Sequence, residues 1–279
     1  MSFELPRIPL GKGIEATLDF LVENLAFATR AFSTVADQGL RFIEASLLAL
    51  HPVILIVLVT ALVFLMTRQR GVTVFTFLGL GLIWNMGLWE ATISTLSLVV
   101  VATIIAIAIG IPLGIIAGLS DWVYRIVRPI LDFMQTLPAF VYLIPAIPFF
   151  GLGKVAAIFA TVVFSMPPAI RFTNLGIRQV PKELTECADA FGTDRWQKLF
   201  KIQLPLAKTT IMGGVNQTVM LALSMVVIAA MIGAGGLGSE VWRAIQRLQS
   251  GAGFEAGIGI VILAIILDRL LQQLAGKGR

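Results

Sequence analysis

His51 is the sole histidine of the 279-residue chain and Cys187 its sole cysteine. One imidazole and one thiol exclude an internal disulfide and most multi-histidine metal or triad chemistry. The sequence contains no H-E-x-x-H, no G-x-S-x-G and no G-x-x-x-x-G-K-[ST]. Metal- or serine-based hydrolysis therefore has no support, and any ATP must bind on another chain. What remains are polar groups set within long apolar runs. Asn216, Gln217 and Ser224 fall on or near one face of such a run, with Met220 between them. Intramembrane polar groups serve either a transport path or interhelical hydrogen bonding. Asp132, Arg171 and the neighbours Asp268 and Arg269 lie near run ends, where pairing or snorkelling is expected.

The elements that must position these groups follow from composition. Hydrophobic side chains make up 57% of residues, charged ones 13%, and mean hydropathy is +0.91. With 26 Gly the apolar share reaches roughly two-thirds, against about half in soluble domains. A chain of this composition cannot cover itself with polar surface, which excludes soluble, disordered and nucleic-acid-binding classes. An all-α membrane protein is expected, because continuous apolar runs without alternation favour helices over a barrel. Seven spans are expected, at about 50–67, 72–89, 92–119, 129–150, 154–175, 209–236 and 255–275. Pro138, Pro145 and Pro148 should interrupt the fourth, and Pro167-Pro168 the fifth. Pro138 and Tyr142 thereby join the candidate path residues, since broken helices often line transport paths. Gly233, Gly235, Gly236 and Gly238 end the sixth.

Twelve Lys and Arg fall in the loops after spans one, three and five and at the C-terminus, against three in the opposite short loops. The first set is expected in the cytoplasm, with the N-terminus outside and the C-terminus inside. The net charge of +5 then reflects topology. Residues 1–49 are read as an N-terminal amphipathic segment before a permease domain at 50–279. Glu4, Pro6 and Pro9 exclude a signal-peptide core, while Leu18, Val22, Leu25 and Thr29 or Phe32 recur at helical spacing. That helix should lie on the bilayer or on the bundle; the alternative is a solvated scaffold. His51 beside Pro52 reads as an interfacial residue.

Residues 176–208 form the one sizeable polar loop. Leu184, Cys187, Ala188 and Phe191 share a helical face, Gly192 stops that helix, and Thr193 or Asp194 can cap a second one. Trp196, Leu199, Phe200 and Gln203 repeat the spacing, and Pro205 should break this helix and open the next span. Two short helices with apolar stripes make a knob that docks either on its own bundle or in a groove of a partner.

The spacing Glu186-Cys187-Ala188, three residues, Gly192, nine residues, Ile202-Gln203-Leu204-Pro205 resembles the EAA loop of bacterial ABC importer permeases. Cys187 in place of Ala is the sole departure from Glu-Ala-Ala, three, Gly, nine, Ile-x-Leu-Pro. The stretches Pro112–Leu119, Met134–Gly153 and Asn216–Gly238 are similar to the glycine betaine/proline betaine branch. The resemblance implies a type I permease fold in the bacterial inner membrane with a cytoplasmic two-helix coupling loop. It implies a homodimer, cytoplasmic ATPase subunits that hold the ATP, an extracytoplasmic substrate-binding protein, and no catalytic residue or directly bound cofactor on this chain. Glu186, Cys187, Ala188, Gly192, Ile202, Leu204 and Pro205 would couple to the ATPase, with Glu186 capping a backbone end or pairing with Arg195 or a partner's basic residue. The solute would be a quaternary ammonium osmolyte: glycine betaine, proline betaine, choline or carnitine. Such a cation has no N–H, so aromatic faces suit it; Trp84, Trp89, Phe133, Phe140, Tyr142 and Phe149 are available. A methionine- or sulfonate-type permease is the nearer alternative and an ion-coupled carrier the more distant one.

Overall fold

A computed structural model describes residues 10–276, and the regular elements among them are helical. In chain order they are α1 (Leu10–Asn24), α2 (Ala26–Leu48), α3 (Pro52–Thr67), α4 (Arg70–Asn85), α5 (Trp89–Leu119) and α6 (Asp121–Thr136). A 3-10 turn at Ala139–Tyr142 leads into α7 (Leu143–Phe150) and α8 (Lys154–Arg178). The loop helices are α9 (Lys182–Ala190) and α10 (Arg195–Lys198), followed by α11 (Leu204–Ala229), α12 (Gly236–Gln246) and α13 (Ser250–Leu274). The reading of residues 1–9, and Lys277 and Arg279 of the charge count, lie outside the described residues.

At the centre α8 is sandwiched between α5 and α11. Lipid tails are as apolar as leucine, so close backbone approach and dispersion hold such a core together. Gly110, Gly114 and Gly118, four residues apart, form the α5 side of the seam. A Cβ at Gly114 would lie 2.6 Å from the Thr173 Cβ and 2.7 Å from the Ile170 carbonyl oxygen. Across the other face of α8, a Cβ at Gly214 would come within 2.6 Å of the Phe172 Cβ. Thr161 and Ser165, both fully buried, satisfy their own hydroxyls by donating to carbonyls one turn earlier. A second cluster joins α3, α4, the start of α5 and α13 through Leu55, Val63, Ile83, Trp89, Ile93 and Ile262. Helix α2 packs on the central core through Phe32, Ala36 and Leu40.

Of the seven expected spans, the helices form four single long ones and two bent pairs among the described residues, and the fourth is interrupted at Pro138 as expected. Among the described residues, the helices long and apolar enough to cross singly are Trp89–Leu119, Lys154–Arg178, Arg195–Ile232 and Ser250–Leu274. Helices α3 and α4 have 16 residues each, about 24 Å at 1.5 Å per residue, short of a hydrocarbon core of about 30 Å. The expected span 129–150 is two helices bent by 111°, and α2 bends by 103° into α3. Pro138 sits at the first of these breaks; without an N–H it cannot continue the helix, and Leu137 before it is extended. The Tyr142 hydroxyl donates to the Met134 carbonyl that the break leaves free. Pro167 and Pro168, in contrast, do not interrupt α8. Both are buried, and contacts on both sides hold the helix continuous.

The two ends of the bundle carry different charge. At one end Arg178 donates to Asp121 (2.6 Å) and to the Ala117 carbonyl (3.0 Å), bringing the end of α5, the start of α6 and the 176–208 loop together. At the other end of α8, Lys154 holds both oxygens of Glu44 at 2.8 and 2.9 Å. Glu44, Glu90, Glu240 and Arg243 line a 440 Å³ cavity there.

Candidate functional site

The loop is a rigid knob. Gly192 adopts φ +73°, the left-handed conformation that ends α9 at little steric cost to glycine. Beside it the Thr193 hydroxyl donates to the Ala188 carbonyl at 2.7 Å. Of the two expected caps, Asp194 serves α10: its Oδ1 accepts the Gln197 N–H at 2.7 Å. Lys198 and Asp189, 2.6 Å apart, tie the two helices together. Of the alternatives for Glu186, the pair with Arg195 does not form; both side chains are exposed. The knob is anchored from below by Leu199, which is buried with Ile177, Ala207 and Ile211, while half-buried Leu204 packs against them.

The face above that anchor is open. Ala188 is buried, but Leu184, Cys187 and Phe191 of the same expected stripe are exposed. Phe191 is 84% exposed, and Trp196 and Phe200 stack on each other 6.1 Å apart with both rings outward. Docking of this stripe on its own bundle is therefore not what the fold does. Exposed Phe191, Trp196 and Phe200 on one compact two-helix knob mark an interaction surface.

Pro205 opens α11 as expected, but it does not interrupt the helix before it. The backbone runs from α10 through a π-turn, Leu199–Gln203, directly into α11, with Pro205 on its first turn. The widened turn lets the Leu204 N–H reach the Leu199 carbonyl and accommodates a proline that cannot donate. Ile202 is half-buried within this turn, and the knob is continuous with a 38-residue helix, Arg195–Ile232. The knob is thereby joined to the centre of the bundle without a break in the helix.

The path candidates divide. Asn216 turns to α13, where its Nδ2 donates to Asp268 at 2.8 Å; Gln272 donates to the other carboxylate oxygen at 2.7 Å. Asp268 is thus held by amides and not by Arg269, which bonds Gln272. Gln217 and Ser224, seven residues apart, are both exposed on a different face of α11, and Ser224 donates to the Met220 carbonyl. Met220 and Tyr142 pack in the central core, and Pro138 lies at the helix break. Gln217 and Ser224 remain on an open helix face; Asn216 is an interhelical clamp. Asp132 pairs with Arg171 as the run-end reading anticipates. The aromatic candidates are dispersed. Trp89 belongs to the second core, Tyr142 meets Phe164 edge-on, and Trp84 lies edge-on to His51 at 6.2 Å. His51 caps α3 by accepting the Val53 N–H.

With this geometry in hand, comparison with known proteins is informative. Residues 110–277 match the family described as binding-protein-dependent transport system inner membrane component. The chain is 49% identical to the glycine betaine/carnitine transport permease protein GbuB of Listeria monocytogenes, covering 99% of this chain and 98% of that protein. It is 49% identical to the glycine betaine transport system permease protein OpuAB of Bacillus subtilis, over 98% and 96% of the two chains. Its fold resembles a chain of the inward-facing MetNI methionine ABC transporter, with a TM-score of 0.62 and 21% identity, covering 67% of this chain and 93% of that one. The chain belongs to the binding-protein-dependent transport system inner membrane component family, as a multi-pass inner-membrane permease of the ABC importer type.

Proposed function

We propose that this chain is the permease subunit of an ATP-driven importer for quaternary ammonium osmolytes. The observation that carries the coupling role is the exposed Phe191, Trp196 and Phe200 patch on a knob continuous with α11. Glu186, Cys187, Ala188, Gly192, Ile202, Leu204 and Pro205 shape that knob, which engages a cytoplasmic ATPase. ATP binds and is hydrolysed on that partner, so this subunit is non-catalytic and holds no cofactor of its own. Two copies frame the pathway and receive solute from an extracytoplasmic binding protein. The N-terminus lies outside and the C-terminus in the cytoplasm, in keeping with the segregation of the loop's basic residues from Glu44, Glu90 and Glu240. Near-full-length relatives named for glycine betaine support that solute class over methionine, whose transporter shares the fold at 21% identity.

The test is uptake of radiolabelled glycine betaine, choline, carnitine and methionine into vesicles holding the permease, its ATPase and its binding protein. Betaine accumulation that requires ATP is expected. Accumulation on an ion gradient without the ATPase would overturn the coupling role, and a methionine preference the solute class.

A further inference from the structure

We propose that the cleft between α6 and α8 binds the phosphate of an anionic phospholipid. The cleft has a volume of 370 Å³ and is lined by Tyr124, Arg128, Asp132, Arg171 and Asn174. Arg171 pairs with one Asp132 oxygen, and the Arg128 Nε lies 4.0 Å from the other. Two guanidinium groups against one carboxylate leave the cleft with one net positive charge. Asn174 is 5% exposed, yet its Nδ2 has no hydrogen-bond partner. A buried carboxamide without a partner is costly, and a small rotation of the Asn174 side chain would turn its N–H to a phosphate oxygen in the cleft.

Helix α6 identifies the source of that phosphate. Trp122, Ile126, Ile130 and Phe133 recur along one face and are all exposed, while Arg125 and Arg128 lie off that stripe. The helix is bent 111° from the segment that follows it, the orientation of an interfacial helix next to one that enters the membrane. Acyl chains cover the stripe while the headgroup enters the cleft beside it. A zwitterionic solute fits less well. The cleft's one aromatic face, Tyr124, already carries the Arg178 guanidinium 4.9 Å from its centroid, and a small solute leaves the stripe bare. The cleft lies toward the loop end of α8. Assignment to the cytoplasmic leaflet therefore rests on the orientation proposed above, whereas binding itself does not. Basic pockets between spans on that side suit anionic headgroups.

The test uses the assembled permease–ATPase complex in symmetric phosphatidylcholine vesicles, with spin-labelled phosphatidylglycerol or spin-labelled phosphatidylcholine as probe. The wild-type complex should immobilise phosphatidylglycerol in preference to phosphatidylcholine by about fivefold or more. Arg128→Gln, on an exposed side chain, and the paired Asp132→Asn/Arg171→Gln should each lower that preference severalfold, at unchanged melting temperature and ATPase co-elution. If the paired variant does not assemble, Arg128→Gln decides alone. Equal immobilisation of the two lipids by the wild-type complex, or a preference that survives these variants, overturns the proposal. Displacement of the labelled lipid by inorganic phosphate assigns the cleft to a soluble anion and also overturns it. No transport is measured and both leaflets are equivalent, so failure here is distinct from failure of the proposed function or orientation.

Discussion

Gly192→Val should abolish ATP-driven uptake while leaving the permease in the membrane. Insertion depends on apolar length, and this position lies outside every span. At φ +73° a side chain strains the backbone by about 1–2 kcal/mol, and β-branching adds to that. A Cβ there would meet nothing within 4 Å, so the strain relaxes by backbone rotation with no internal obstacle. That rotation changes the angle between α9 and α10, and with it the Asp189–Lys198 tie and the Thr193–Ala188 bond. Uptake should fall at least about tenfold, because a docking loss of 1.4 kcal/mol is already a factor of ten. Gly192→Asn should keep most activity, since asparagine tolerates the left-handed region. Uptake and ATPase co-purification at matched membrane expression are the readouts. Normal uptake by the valine variant would reduce the loop to a connector.

Gly114→Val should fail earlier, at folding. Its Cβ would meet the Thr173 Cβ at 2.6 Å and, more seriously, the Ile170 carbonyl oxygen at 2.7 Å. Backbone cannot swing aside as a side-chain tip can, so α5 and α8 must separate along the seam that holds the core. Overpacking costs typically about 1–3 kcal/mol, and here the loss of neighbouring contacts adds to it. A large drop in melting temperature and loss of the monodisperse species are expected. Gly81→Val is the control: a Cβ there meets nothing within 4 Å, so it should melt within a few degrees of the wild-type chain. Equal melting of the two variants would show that the glycine row does not set the α5–α8 spacing.

The knob was legible in the sequence because its signals are local: an apolar face on each helix, a glycine between them and a capping aspartate. What local pattern cannot show is which way a face points. Leu184, Ala188 and Phe191 share one stripe, yet only Ala188 is buried, because the anchor is Leu199 beneath the second helix. Proline was read too uniformly. Pro138 ends α6, whereas neighbours hold α8 straight through Pro167 and Pro168, and a π-turn carries the chain past Pro205. Pro138 marked where the fourth span breaks, but hydropathy could not give the 111° size of the bend, which changes no side chain's polarity. The row Gly110, Gly114 and Gly118 is visible in hindsight as small residues four apart, but the surrounding apolar run conceals it. The partner of Asn216 was also hidden, because Asp268 lies 52 residues away.

The coupling claim is tested most directly by photo-crosslinking in the assembled transporter in cell membranes. A photoreactive amino acid replaces Phe191, Trp196 or Leu248 in turn. All three side chains are exposed, at 84%, 69% and 90%, but Leu248 follows α12, which starts beside Ser94 and Lys154 at the opposite end of the bundle. Positions 191 and 196 should crosslink to the ATPase subunit, and position 248 should not. Crosslinks from 248 to the ATPase with none from 191 or 196 would contradict the account, overturning the docking surface and the orientation together.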